Sequence, residues 1–512
     1  AEAASQAVLM AGAISCAILL PPDAKSEGWD AADALAEDFD VTGFVATGPR
    51  ITVQPLGDEP DLPEYDGQAD HDSDATVWGT EDALAVSFTR RYQRDWRYIA
   101  AWGKWLMWDG QRWRAEETLA ATDLIRHVCR HAAVRADSSK VAAKLAASST
   151  VSGVERLARS DRRHAATSDE WDADIWLLNT PGGVVDLKTG RMRPHERADR
   201  MTKITTATPS GDCPTWKQFI DEVTGGDKEL QSYLQRMVGY ALTGSTQEHA
   251  LFFLYGTGAN GKSVFVNVIT TILGDYAANA PMDTFMEART DRHPTDLAGL
   301  RGARFVSSIE TEQGRRWNES KVKAITGGDK VSARFMRQDF FEYVPQFKLV
   351  IAGNHKPSIR NVDEAMKRRL HLIPFTVTIP PERRDGRLTE KLLKERDGIL
   401  AWAVEGCSLW QRQGLKPPAS VVSATEEYFE AEDALGQWIE ERCLLAKTHR
   451  EGVSELFADW REWAERAGEY VGSVKRFSEL MAARKFEKCR LTGGARGITS
   501  IALRPKPYSH GY

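Results

Sequence analysis

HALFFLYGTGANGKSVFVNVITTIL, residues 249–273, is the stretch whose reading decides the fold. Residues 250–254 form an apolar run of strand length, and Lys262 to Leu273 carries the spacing of an amphipathic helix. Between them lie Gly256-Thr257-Gly258-Ala259-Asn260-Gly261-Lys262-Ser263, which match G-x-x-x-x-G-K-[ST]. Glycines let backbone N–H groups turn inward around phosphate oxygens without a Cβ in the way. The helix beginning at Lys262-Ser263-Val264 adds the partial positive charge of its N-terminus. Lys262 is placed to reach β- and γ-phosphates, and the Ser263 hydroxyl to ligate Mg²⁺. The strand–loop–helix order makes ATP and Mg²⁺ the expected cofactors; a glycine-rich turn with a surface lysine is the plainer alternative.

An ATPase also needs a carboxylate at the end of a neighbouring strand. The run Phe305–Ile309 reads as a buried strand, with Glu310 at its C-terminal edge, where ligands bind in open α/β sheets. Glu310 is placed to hold Mg²⁺ through water or to polarise the attacking water, and Glu312 is a second candidate or a solvated loop carboxylate. A third strand, Phe347–Gly353, ends at Asn354, whose amide suits a γ-phosphate sensor and whose surroundings also suit a turn. Past it come Arg368 and Arg369, either surface charge or an arginine that reaches a neighbouring subunit's γ-phosphate.

Outward from this centre the 512 residues divide into pieces. Residues 1–56 read as a small α/β piece. Residues 57–77 form an acidic linker, with eight carboxylates, two prolines and no Lys or Arg between 57 and 76. Residues 78–214 are mainly helical, with hairpins expected at 105–113 around Asp109-Gly110 and at 182–193 around Lys188-Thr189-Gly190. The ATPase core covers 215–385, a helical connector 386–425 and a terminal domain 426–512. Trp96, Trp102, Trp105, Trp108 and Trp113 make either a base-stacking platform or simply core.

The net charge of −6 gives no global nucleic-acid signal, so any basic surface is local. Six scattered cysteines argue against a disulfide framework and for a reducing cytoplasm. His127, Cys129 and His131 lack a second ligand pair for zinc. The apolar run 7–20 is short for a membrane span, with no Lys or Arg before it, so no membrane is expected.

These features, in this order, resemble superfamily III helicases, and among them the phage/plasmid primase-helicase family with its poxvirus-type relatives. GTGANGKS, the strand to Glu310, KAITGGDKVSARFMRQDFFEYVPQFKLVIAGNHKP and KRRLHLIPF look like successive helicase motifs. WLMWDGQRW, DADIWLLNTPGGVVDLKTGRMRPH and LQRMVGYALTGSTQE look like the helical domain preceding the motor, so the resemblance covers roughly residues 80–376. It implies an AAA+-like α/β motor core, a mainly helical N-terminal domain and a C-terminal winged helix. It also implies a ring, usually hexameric, moving 3′-to-5′ on single-stranded and forked DNA in a bacterial host's cytoplasm.

By motif position the resemblance assigns Lys262 and Ser263 to nucleotide, Glu310 to hydrolysis, Asn354 to sensing and Arg369 to the finger, with Arg368 as the other choice. Val331–Phe335 and Phe340–Val344 would pair as a hairpin with Met336-Arg337-Gln338-Asp339 at its tip; Arg337, then Arg334 and Lys330, would grip phosphate. Residues 28–33, with Asp30 and Asp33, look like the tail of a TOPRIM-type domain, so primer synthesis is not expected from this chain alone and a primase domain is an expected partner. In the terminal domain Ser473 is placed to cap a helix that carries Lys475 and Arg476. Nine Lys/Arg between 473 and 506 face only Glu479 and Glu487, which suits duplex binding or a solvated basic face. An ATP-switched initiator or loader is the alternative to the motor.

Overall fold

A computed structural model describes residues 16–19, 50–53, 79–287, 295–309, 315–335, 339–359 and 363–505. Of the first 78 residues it describes two short strands, Cys16–Leu19 and Arg50–Val53, paired antiparallel. Asp30, Asp33 and the acidic linker lie outside the described residues.

The chain forms two compact units. The first contains helices Glu81–Tyr92, Ala120–Val134, Ser139–Leu145 and Ser148–Ser160. Thr80 caps the first of these through the Ala83 N–H, and Phe88, Ile125, Cys129, Val154 and Ala158 are among the unit's buried side chains. The helical pattern expected over 81–101 stops early, because Trp96–Ile99 is a strand.

The second unit opens with the Lys104–Trp108 and Trp113–Ala115 hairpin, paired Trp108 to Trp113. Its turn is held by Asp109, whose carboxylate accepts from the Gln111 and Arg112 N–H groups at 2.9 and 2.8 Å. Trp105 and Trp113 are 5% and 2% exposed, and Trp113 lies edge-on to Trp171. The hairpin tryptophans are therefore mostly core. The second expected hairpin is a three-stranded meander, Leu177–Thr180, Gly183–Asp186 and Arg191–Arg193.

The centre of this unit is a five-stranded parallel sheet. We number its strands β1 (Leu251–Tyr255), β2 (Ala277–Asn279), β3 (Phe305–Ile309), β4 (Lys348–Gly353) and β5 (Leu370–Pro374). Their spatial order is β2-β3-β4-β1-β5. The central strands β1 and β4 are near-continuous apolar runs, as strands buried on both faces require. Residues 251–254 are fully buried, with Phe252 and Leu254 on the face covered by helix α1 (Lys262–Leu273) and Leu251 and Phe253 on the other. Full burial of a side chain of this size contributes about 1.5–3 kcal/mol.

The order corrects one expectation. The strand leading to Glu310 is not next to β1, because β4 lies between them. Two buried cations close the N-terminal edge of the sheet. Arg304 donates to the carbonyls of Leu242 and Leu177 at 2.7 and 2.8 Å. Lys348 donates to those of Thr243, Ser245 and Gln346. Both therefore meet the carbonyl end of helix Lys228–Ala241, where positive charge is favoured.

Residues 434–503 carry three helices (Ala434–Arg442, Val453–Ala467, Val474–Ala483) and an antiparallel sheet ordered Cys443–Gly452, Arg496–Leu503, Lys488–Arg490. Ser473 caps the third helix through the Arg476 N–H, and Gly493 and Gly494, both at positive φ, turn the last hairpin. Among the described residues no helix is long and apolar enough to cross a membrane, and no cluster of His, Cys, Asp and Glu suits a metal ion.

Candidate functional site: a buried lysine in a glycine-rich loop

The loop between β1 and α1 reverses at Gly258 (φ +103°), Ala259 (φ +48°) and Gly261 (φ +83°). A Cβ on Gly261 would lie 2.5 Å from Val223 Cγ1, so the helix Pro214–Val223 packs directly behind the loop. A Cβ on Gly256 would lie 2.1 Å from the Phe375 carbonyl oxygen. That oxygen belongs to the residue after β5, so the loop is tied to the strand beside it. Two further bonds complete the tie: Phe375 N–H to Tyr255 O, and Ile379 N–H to Ala259 O, both 2.8 Å.

Lys262 is 6% exposed. Its ammonium donates to three neutral oxygens: Gly256 O at 2.9 Å, Asn260 Oδ1 at 3.0 Å and Asn354 Oδ1 at 3.2 Å. No carboxylate among the described residues pairs with it, and burial alone pushes its pKa below the ordinary lysine value. A buried cation without a counter-ion is costly, and it fits an anionic ligand better than it fits a purely structural role. Helix α1 begins at Gly261 with no side-chain cap, so no side chain closes its first turn, and Ser263 is exposed there. The loop thus offers one ammonium, uncapped amides and one hydroxyl, a donor set suited to phosphate and its Mg²⁺.

The structure brings Asn354, 92 residues downstream, into contact with Lys262. Register explains it: Tyr255 pairs with Gly353, so both strands end together. β3 ends at Ile309, which is half exposed at 53%; Glu310 and Glu312 lie outside the described residues.

The two arginines separate. Arg369, the first choice for the finger by motif position, is 8% exposed and turned inward, its Nε donating to Thr326 Oγ1 at 3.2 Å and its Nη1 to Ala365 O at 2.9 Å. Arg368 beside it is exposed.

The expected hairpin is present, shorter than predicted, with Val331–Ala333 paired to Phe341–Tyr343. Lys330 is exposed, and the Arg334 guanidinium lies 4.7 Å from the Phe340 ring centre. Arg337 lies outside the described residues. Phe340 is 58% exposed beneath the Arg334 guanidinium.

In the last hairpin Arg490 is paired directly opposite Arg496, and Lys488 shares their face; all three are exposed. Lys475 is exposed on the preceding helix and Arg476 lies over the Tyr470 ring at 5.2 Å.

Two roles are absent from the sequence pattern. Lys356 lies 4.2 Å from the Tyr255 ring centre, and burial lowers its pKa. Nothing in its local sequence marks it. The motif places Asn260 in the loop without a task of its own, whereas its side chain bridges Lys262 and Phe375.

Residues 85–225 match the family described as D5 N terminal like, and residues 254–369 match a family of unknown function. A protein of Acanthamoeba polyphaga mimivirus named as a helicase is 25% identical over 336 residues, covering 60% of this chain and 35% of its own length. A helicase-named protein of Frog virus 3 is 26% identical over 275 residues, covering 49% and 28% respectively. A primase-named protein of African swine fever virus is 22% identical over 340 residues, covering 61% and 35%. The chain thus spans about a third of the length of these relatives. Among solved structures, the apo C-terminal region of NrS-1 covers 80% of this chain and 96% of its own, at 10% identity and a TM-score of 0.45. The D5-type match upstream of the loop and the viral relatives across it make this chain similar to D5-like primase-helicases.

Proposed function

We propose that this chain is the ATP-driven motor of a primase-helicase, assembling as a ring and moving 3′-to-5′ along single-stranded DNA to part a fork. The observation that carries the reading is the Lys262 ammonium, buried among three neutral oxygens with Asn354 as one of them. The sheet order, with β1 between β4 and β5, supports an AAA+-like phosphate-loop core.

In this reading Lys262 exchanges neutral acceptors for β- and γ-phosphate oxygens. Asn354, released from the lysine, turns its amide toward the terminal phosphate or the attacking water. Ser263 and Glu310 are the groups to hold Mg²⁺, which when bound neutralises charge between the phosphates. Glu310 or Glu312 orients the attacking water. Arg368 is the arginine free to reach a neighbouring subunit's γ-phosphate, because Arg369 is occupied within its own chain. The hairpin contributes Lys330, Arg334 and Arg337 to the backbone of the single strand.

A second reading rests on the terminal hairpin. Like charges directly opposite each other on a two-stranded face are destabilising, so Arg490 and Arg496 are not explained by folding. They suit a winged-helix contact to duplex phosphates, as an ATP-switched initiator or loader would need. A strand-displacement assay on a tailed duplex, run with sizing in ATP, separates the two. The motor reading predicts rings, ATPase stimulated by single strands, and displaced product. Duplex binding with nucleotide-dependent assembly but no displacement would establish the initiator instead.

A further inference from the structure

Lys262 is held by two asparagine side chains that differ in what else they do. Asn354 is exposed at the end of β4, and its only hydrogen bond among the described residues is the one to Lys262. Asn260 is 3% exposed and engaged at both ends: Nδ2 donates to Phe375 O at 2.7 Å, and Oδ1 accepts from Lys262 Nζ at 3.0 Å.

A carboxamide has one donor end and one acceptor end. With the donor end committed to a backbone carbonyl, the acceptor end can only face the lysine. The carbonyl is fixed in turn, because the Phe375 N–H bonds Tyr255 O and the Ile379 N–H bonds Ala259 O. Gly256 has no Cβ where that carbonyl approaches, since one there would lie 2.1 Å from Phe375 O and 2.2 Å from Asn260 Nδ2. The whole arrangement is a rigid bracket from β5 to the ammonium.

We propose that Asn260 is a positioning residue: bracketed by the Phe375 carbonyl, it aims the Lys262 ammonium at the phosphates of the bound nucleotide and stays on it, while Asn354 is the acceptor that leaves. The inference rests on the nucleotide reading of the loop given above. The division of labour follows from mobility. An acceptor buried and tied to an adjacent strand cannot follow a ligand, whereas an exposed one with a single bond can.

The test is binding of fluorescent ADP and of a non-hydrolysable ATP analogue to the full chain, with hydrogen exchange across 256–263 in the nucleotide-free protein. Losing one hydrogen bond to a buried charge predicts roughly ten-fold weaker binding for Asn260→Ala. Its amides at 261–263 should also exchange faster before any nucleotide is added. In a Lys262→Met background the same change should add little, because the group it aims is gone. Asn260→Asp keeps the size of the side chain, and a melting temperature within a few degrees of the wild type shows that it folds. Its carboxylate faces Phe375 O with no donor and gives Lys262 a permanent counter-ion, so binding should fall further than with alanine.

Wild-type affinity in Asn260→Asp would show the side chain to be a spacer and overturn the proposal. So would losses that multiply in the double variant. If instead the wild type and Lys262→Met bind nucleotide equally, or neither binds, the nucleotide reading itself has failed.

Discussion

Replacing Lys262 with methionine removes the charge while keeping most of the length of the side chain, and the structure sets what should follow. The ammonium makes three hydrogen bonds, to Gly256 O, Asn260 Oδ1 and Asn354 Oδ1. Breaking them leaves acceptors short of a donor, at roughly 1–3 kcal/mol for each that stays buried. Asn354 is exposed and turns to water, so the cost falls mainly on Gly256 and Asn260. Against this, an ammonium with no counter-ion among the described residues is no longer desolvated, a relief of several kcal/mol. The two terms nearly cancel, so the nucleotide-free melting temperature should move by only a few degrees. The ligand response should fall to a small fraction of the wild-type shift. At a hundred times its dissociation constant a nucleotide stabilises by about 2.7 kcal/mol, or roughly 5–10 °C for a domain of this size. The assay is a thermal melt with and without ATP and Mg²⁺, at matched protein concentration. A Lys262→Met variant that keeps the wild-type shift would refute the phosphate-binding role of Lys262.

Other consequences divide the site into separable parts. Arg368→Ala should assemble normally yet hydrolyse at least about a thousand-fold more slowly, in line with arginine fingers generally; mixing it with the Lys262→Met protein and measuring turnover checks whether the two sites lie across one interface. Arg369→Ala should instead lower the melting temperature, since it abandons Thr326 and Ala365 at a cost of roughly 1–3 kcal/mol; a stability unchanged by the substitution would contradict its inward placement. Burial lowers His371, which hydrogen-bonds Tyr233 at 2.7 Å, to about 4. Its folded value lies below the unfolded one, so its contribution is complete above about pH 6.5 and is lost as pH falls toward 4. Urea midpoints across that window should drop in the wild type and drop less in His371→Gln. Finally, Arg490→Ala with Arg496→Ala should weaken duplex binding and reduce the salt slope by about 1.8, read from affinities at several salt concentrations.

The parts of this account visible in the sequence are those where local pattern and tertiary demand coincide. A doubly buried strand must be an apolar run, and the runs 250–254, 305–309 and 347–353 fall on β1, β3 and β4. Asn354 is legible because it follows such a run and must therefore emerge at the edge where ligands bind. Strand order is not legible: a run of apolar residues carries no record of its neighbour, and only the pairing shows β4 between β1 and β3. The choice between Arg368 and Arg369 is closed to sequence for a similar reason. Adjacent arginines look alike until Thr326, on another element, claims one of them. Trp96–Ile99 carries a helical pattern because a short strand in a helical neighbourhood declares itself only through its partners. The bracket at Asn260 depends on a backbone carbonyl 115 residues away, which no side-chain motif encodes.

Strand displacement on a 3′-tailed duplex with ATP and Mg²⁺, wild type beside Lys262→Met, asks the central question in one experiment. The account predicts that the wild type releases the annealed strand and that the Lys262→Met protein binds the same substrate without releasing it. A wild-type chain that hydrolyses ATP on this substrate and never frees the strand would contradict it.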